Sequence, residues 1–275
     1  MKKLLFNGCS FVSGAFVVWD QFCIEHLGYI KPYDIAMTTS SEKELIAAST
    51  YNSTYRRQYN LPKQTADLLS AEVVDLSEDG NSNDNIALST IAFLLDKSPE
   101  ERGQYHVCIG WTELTRLLKY NTYNDQFINL TIHYFNHTHP IIDGLQDYIK
   151  YALVQSTDSD FAINYVRNIM LLENFLITNN ITYTFFRSMG SINDCSVVLG
   201  SFSDLDIPKT AFTNHLNWFS FAETRYAFTG PSWHHLINSG IKRDWALSPT
   251  DHHPNLKAIN EISHRLADFI RPLPT

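Results

Sequence analysis

The chain has 275 residues, of which 44% are apolar, 18% charged and 13% aromatic, and its formal net charge is −8. That length and apolar content suffice for one sizeable core. The acidic balance argues against nonspecific nucleic-acid binding, which depends on clustered Lys and Arg.

No stretch approaches the ~18 consecutive apolar residues of a membrane-spanning helix. The opening MKKLLF is interrupted by Asn7-Gly8 before an apolar signal-peptide core could form. Cys9, Cys23, Cys108 and Cys195 are scattered without Cys-x-x-Cys spacing and read as reduced, buried thiols. The expectation is a cytoplasmic protein, or a virion-associated one if phage-encoded, with no membrane span.

In chain order, residues 4–7 (LLFN) predict a short buried strand, and 11–27 contain a helix with Trp19, Phe22 and Cys23 on its apolar side. Residues 31–60 are polar and rich in Thr, Ser and Tyr, and read as an irregular excursion. Residues 62–70 have helical form with Pro62 in the first turn. A second strand, 72–76 (EVVDL), ends in SEDGNSNDN, where Asp84 is placed to cap the helix IALSTIAFLLDK. A third strand, 105–109 (YHVCI), is terminated by Gly110-Trp111-Thr112. Residues 120–155 are aromatic and His-rich and read as an insertion. An amphipathic helix over 161–178 leads to a fourth strand, 181–187 (ITYTFFR). Residues 190–245 are loop-rich, and 256–270 form a helix with Ile259, Ile262, Leu266 and Phe269 on one face.

Strands separated by helices of this length imply a three-layer α/β/α fold with a central parallel sheet. One domain over 1–275 fits, with insertions near 31–60, 120–155 and 190–245. Ligands in such folds sit outside the carboxyl ends of the strands. Ser10, Gly80 and Thr112 each lie just past such an end.

The first of these ends, NGCSFVSG, invites three glycine-loop readings and fails each. A P-loop needs Gly-x-x-x-x-Gly-Lys-Ser/Thr, a dinucleotide fingerprint needs Gly-x-Gly-x-x-Gly, and a nucleophile elbow would need glycine where Val12 sits. What survives is a serine presented at a strand tip, either as a nucleophile or as a plain helix cap. A nucleophilic serine needs an oriented base, most naturally histidine. Asp251, His252, His253 and Pro254 stand in a turn-rich loop directly before the last helix, where they too can reach the rim. The other histidines, including His133, His137, His139 and the pair His234-His235, show no zinc-ligand spacing, so no metal or cofactor is expected. Asn81 reads as a turn residue.

Together, GCSF (8–11), DGNSND (79–84), GWT (110–112) and DHHPN (251–255) resemble, in order and spacing, the blocks of the GDSL/SGNH hydrolase family. They are most similar to phage and bacterial members whose second block reads Gly-x-Ser-Asn-Asp. The resemblance implies a flavodoxin-like fold, with Ser10 as nucleophile, His253 as base and Asp251 as its partner. It also implies an oxyanion hole built on the amides of Ser10 and Gly80. Two departures stand out. The family's third block carries an asparagine donor where this chain has Thr112, so Thr112 or Asn83 is the candidate replacement. The usual Asp-x-x-His is shortened to Asp-x-His, as in the polysaccharide O-acetyltransferase branch, which leaves His252 in competition with His253.

The implied function is hydrolysis of an ester, an O-acetyl group on a carbohydrate foremost, through an acyl-enzyme. The aromatics Trp218, Phe219, Phe221, Tyr226 and Trp233 would then supply a stacking wall. Two alternatives are an O-acyltransferase using the same acyl-enzyme and a noncatalytic binding or virion protein.

Overall fold

The structure is a computed structural model that describes residues 3–15, 17–29, 39–121, 126–130, 158–189, 232, 236–237, 242–247 and 253–271. In chain order its elements are β1 (Lys3–Gly8), α1 (Ser10–Ser13), α2 (Trp19–Phe22, continuing as a π-helical turn over Cys23–Leu27), α3 (Glu42–Tyr59), α4 (Leu61–Leu69) and β2 (Val73–Asp75). There follow α5 (Asn83–Leu95), α6 (Pro99–Arg102), β3 (Tyr105–Trp111), β4 (Leu117–Asn121), β5 (Gln126–Leu130), α7 (Asp158–Thr178) and β6 (Thr182–Arg187). A 3₁₀ turn (Arg243–Trp245) precedes α8 (Leu256–Ile270).

Four strands form one sheet in the order β2-β1-β3-β6, every pair parallel. The central strands are near-continuously apolar because both faces are covered. Leu5, Val107, Ile109, Tyr183 and Phe185 face the layer of α5 and α7, where Ile86, Leu94, Ile169 and Leu172 complete the core. The alternate residues Leu4, Phe6, Cys108 and Phe186 face α4 and α8, meeting Leu61, Ala66, Ile259, Ile262 and Leu266. The three-layer α/β/α architecture expected from the sequence is therefore the one adopted.

Several elements differ locally from expectation. The helix foreseen within 11–27 is α2 with its π-helical turn, on which Trp19, Phe22 and Cys23 are buried, and a separate short helix precedes it. α1 stops at Gly14, which adopts the left-handed conformation (φ +74°), and the chain re-enters helix at Trp19. Within the 31–60 excursion lies an 18-residue helix, α3, started by a reciprocal cap between Ser41 and Glu44. Only Ala48 and Asn52 of it are buried, so it lacks the apolar stripe that would have revealed it. α5 is capped by Ser82 rather than Asp84, because the Ser82 Oγ accepts the Asn85 N–H. Part of the 120–155 segment belongs to an antiparallel hairpin of β4 and β5. Residues 131–157 and most of 190–245 lie outside the described residues.

Candidate active site

The strand order reverses direction between β1 and β3: the chain steps from β1 out to β2, then back past β1 to β3. Crevices at such a reversal, beyond the carboxyl ends, are where ligands sit in doubly wound sheets. Here the two strand ends are the glycines Gly8 and Gly110, which are register partners. A Cβ on Gly110 would press into Val12 Cγ2 and stand 2.8 Å from Phe186 Cε2; one on Gly8 would stand 2.5 Å from the same valine carbon. The paired glycines thus let α1 lie directly on the strand tips.

Ser10 is the first residue of α1, 6% exposed; Cys9 occupies the cap position, and its side chain makes no capping bond. The Ser10 hydroxyl stands 3.0 Å from His253 Nε2 across 243 residues of sequence. The imidazole also lies beside the Phe11 ring, with centroids 5.3 Å apart. Its backbone is pinned from both sides. The His253 carbonyl accepts from Leu247 N–H (2.8 Å), Ala246 and Pro254 form a β-bridge, and Asn255 N–H donates to the Trp245 carbonyl (2.8 Å). The Asn255 Nδ2 donates to the carbonyls of Asp244 and Ala246 while its Oδ1 caps α8 through Ala258 N–H. Trp245 itself is fully buried and donates from Nε1 to Glu261 of α8. Asp251 and His252 lie outside the described residues, as do Trp218, Phe219, Phe221, Tyr226 and Trp233.

Gly80 occupies a left-handed turn (φ +76°) between β2 and α5. Among the described residues its N–H and that of Ser10 have no hydrogen-bond partner. The turn is held by side chains the sequence reading passed over. Asn81, read as a simple turn residue, is fully buried; its Nδ2 donates to the Gly8 carbonyl (3.1 Å) and to Asn7 Oδ1 (3.2 Å). Asn7 in turn donates to the Ile86 carbonyl and the hydroxyls of Ser89 and Thr90. On the outer side Asp79 accepts from Ser13 of α1 and pairs with Arg56 of α3. The polar Asn7 at the end of an apolar strand was the available signal for this network.

Of the two candidates for the missing asparagine donor, Asn83 is committed elsewhere. Its Oδ1 accepts the Thr112 N–H (3.0 Å), and its Nδ2 donates to the Glu113 carbonyl (3.0 Å) and at longer range to the Thr112 carbonyl (3.5 Å). Thr112, just past β3, donates from Oγ1 to Met189 Sδ at 3.5 Å. Arg116, a buried cation not singled out in the sequence, joins the same cluster through Glu113, the Asn81 carbonyl and Met189 Sδ. Its signal was a lone basic residue four positions after Thr112.

No three His, Cys, Asp or Glu side chains converge as a metal site would require, and no helix is long and apolar enough to cross a membrane, both among the described residues. What the described residues bring together is a serine hydroxyl and an imidazole nitrogen at 3.0 Å, at the carboxyl end of the sheet.

No family model matches the chain, and a comparison with curated proteins finds no match. Solved structures of similar topology include a psychrotrophic esterase from a Pseudoalteromonas species, inhibited by monoethylphosphonate (12% identity, TM-score 0.46, covering 98% of this chain and 97% of that one). Another is a structure described as a G-D-S-L family lipolytic protein from Desulfitobacterium hafniense (10% identity, TM-score 0.48, 98% and 99% covered). A third is an acetyl xylan esterase from the rumen bacterium Butyrivibrio proteoclasticus (13% identity, TM-score 0.44, 98% and 63% covered). At such identities and TM-scores no activity carries over, and the chemistry of the site rests on this chain's own residues.

Proposed function

We propose that the chain is a serine ester hydrolase of the SGNH type. The observation that carries this reading is the 3.0 Å contact between the Ser10 hydroxyl and His253 Nε2. It joins a weak nucleophile to an imidazole nitrogen within proton-transfer distance.

In the proposed reaction Ser10 Oγ attacks the ester carbonyl as its proton passes to His253 Nε2. The resulting oxyanion is held by the N–H groups of Ser10 and Gly80, which lack partners among the described residues. Collapse breaks the carbon–oxygen bond to the alcohol, which leaves with the proton from His253. Water, deprotonated by the same imidazole, then releases the acid and restores Ser10. Asp251 is proposed to accept from His253 Nδ1, which would fix the tautomer that leaves Nε2 free to accept. The third block is proposed to contribute through Thr112, with Asn83 holding its backbone. The substrate class, an O-acetylated carbohydrate, is supported by the resemblance of the four blocks.

The test is labelling by a fluorophosphonate together with hydrolysis of p-nitrophenyl acetate. Ser10→Ala is expected to abolish labelling, and Ser10→Ala and His253→Ala each to lower kcat by roughly 10³–10⁶ with little change in melting temperature. A wild-type chain inert to both reagents would reject the hydrolase reading in favour of a binding protein on this fold. Transfer of acetyl to an added sugar, faster than to water, would favour the acyltransferase.

A further inference from the structure

Two hydrogen-bond donors at the carboxyl end of the sheet converge on a single sulfur atom. Thr112 Oγ1 donates to Met189 Sδ at 3.5 Å, and Arg116 Nη2 donates to the same atom at 3.2 Å. Thr112 follows β3 and Met189 follows β6, and the two ends are tied by the Ser188 and Met189 N–H groups, which both donate to the Trp111 carbonyl. Ser188 Oγ in turn contacts Cys9 Sγ, next to Ser10, at 3.4 Å. The sulfur is therefore at the rim on which Ser10 opens.

Arg116 is placed with precision for a long side chain. Its Nε donates to Glu113 Oε1 at 2.8 Å, in an ion pair whose side chains are only 7% and 17% exposed. Its Nη1 reaches the Asn81 carbonyl at 3.5 Å, one residue beyond Gly80. One guanidinium thus spans the second and third blocks and directs Nη2 at a thioether. A thioether is among the weakest acceptors a protein offers, whereas a charge-assisted bond from Arg to an anionic oxygen is about twice as strong as a neutral one. Methionine is also the apolar side chain most easily re-packed, having three rotatable bonds.

We propose that the point held by Met189 Sδ is an oxygen subsite of the reaction. The thioether moves aside on substrate binding, and the oxyanion formed by attack of Ser10 accepts from Thr112 Oγ1–H and Arg116 Nη2–H. Arg116 is then a catalytic residue that supplies, with its charge, what the absent asparagine would have supplied as a neutral amide. No bond to Arg116 is made or broken, and the guanidinium keeps its proton throughout. This inference rests on the serine hydrolase reading above.

The experiment compares wild type, Arg116→Lys, Thr112→Val, Thr112→Ser and Met189→Leu in p-nitrophenyl acetate turnover, in the rate of fluorophosphonate inactivation and in melting temperature. Arg116→Lys keeps the charge but not the reach, and is expected to lose roughly 10²–10³ in kcat and in inactivation rate with KM nearly unchanged. Thr112→Val keeps the shape and folds without the hydroxyl; it is expected to lose about tenfold or more in both rates, with Thr112→Ser restoring most of the loss. Met189→Leu removes the sulfur but neither donor, and is expected to lose clearly less than Arg116→Lys. A reactive wild type whose Arg116→Lys and Thr112→Val variants react at the wild-type rate overturns this proposal and leaves the role of Ser10 intact. A loss confined to KM, or Met189→Leu losing as much as Arg116→Lys, overturns it as well. A wild type inert to both reagents rejects the hydrolase reading itself.

Discussion

The carboxamide of Asn83 brackets the peptide that follows β3: it accepts the Thr112 N–H at 3.0 Å and donates to the Glu113 carbonyl at 3.0 Å, from a position fully buried at the start of α5. Two segments 29 residues apart are thereby locked in register. The bond pattern makes Asn83 a support for Thr112, and this has a measurable signature.

Asn83→Ala removes the acceptor of the buried Thr112 N–H, a loss of about 1–3 kcal/mol, together with the bond to the Glu113 carbonyl. Melting temperature and kcat are expected to fall together, with Asn83→Asp no better, since a carboxylate cannot donate to Glu113. A side chain that acted only on the oxyanion would lower kcat alone. Unchanged melting temperature in Asn83→Ala would reject the supporting role.

How far the sequence revealed this site follows from which interactions are local. Ser10 was legible because an apolar strand stops on a glycine and a serine, and His253 because a turn-rich loop precedes an amphipathic helix. The sheet was legible because strands buried on both faces read as apolar runs. α3 was not, since its helical start is a cap on a polar surface and only two of its residues are buried. The contacts of Asn81, Asn83 and Arg116 were not legible, for a common reason. Their partners lie 73, 29 and as many as 73 residues away, so their roles are set by tertiary register that no local pattern encodes.

A pH dependence follows from Asp75 at the end of β2. Burial pushes its carboxyl above the ordinary range, opposed in part by bonds from the Ser77 hydroxyl and N–H and from Asn60 Nδ2. A carboxyl that binds its proton more tightly folded than unfolded contributes stability below the unfolded value of ~3.9, and that contribution is lost as pH rises through the folded value. The melting temperature of wild type relative to Asp75→Asn is therefore expected to decline as pH rises above about 4. A relative melting temperature that climbs instead would contradict the assignment.

The strand-tip glycines support a last prediction, about how the nucleophile is placed. Gly110 has no positive φ to require glycine, so its constraint is steric alone: an added methyl would meet Val12 Cγ2 of α1 and Phe186 Cε2 at 2.8 Å. Overpacking of this kind costs about 1–3 kcal/mol. Because Val12 is two residues from Ser10 on a helix of only four residues, relief of the clash should also shift the hydroxyl relative to His253. Gly110→Ala is therefore expected to lose both stability and turnover. Val12→Ala alone opens a small void at a fully buried position and loses stability without the clash. In the double variant the new methyl enters the space the valine vacated, so the two losses should fall short of their sum by roughly 0.5–3 kcal/mol. Recovery stays partial, because Phe186 still opposes the methyl. Turnover is expected to follow the same pattern, higher in the double variant than in Gly110→Ala. Strictly additive losses in both melting temperature and kcat would mean that α1 is not seated on the strand tips through Val12.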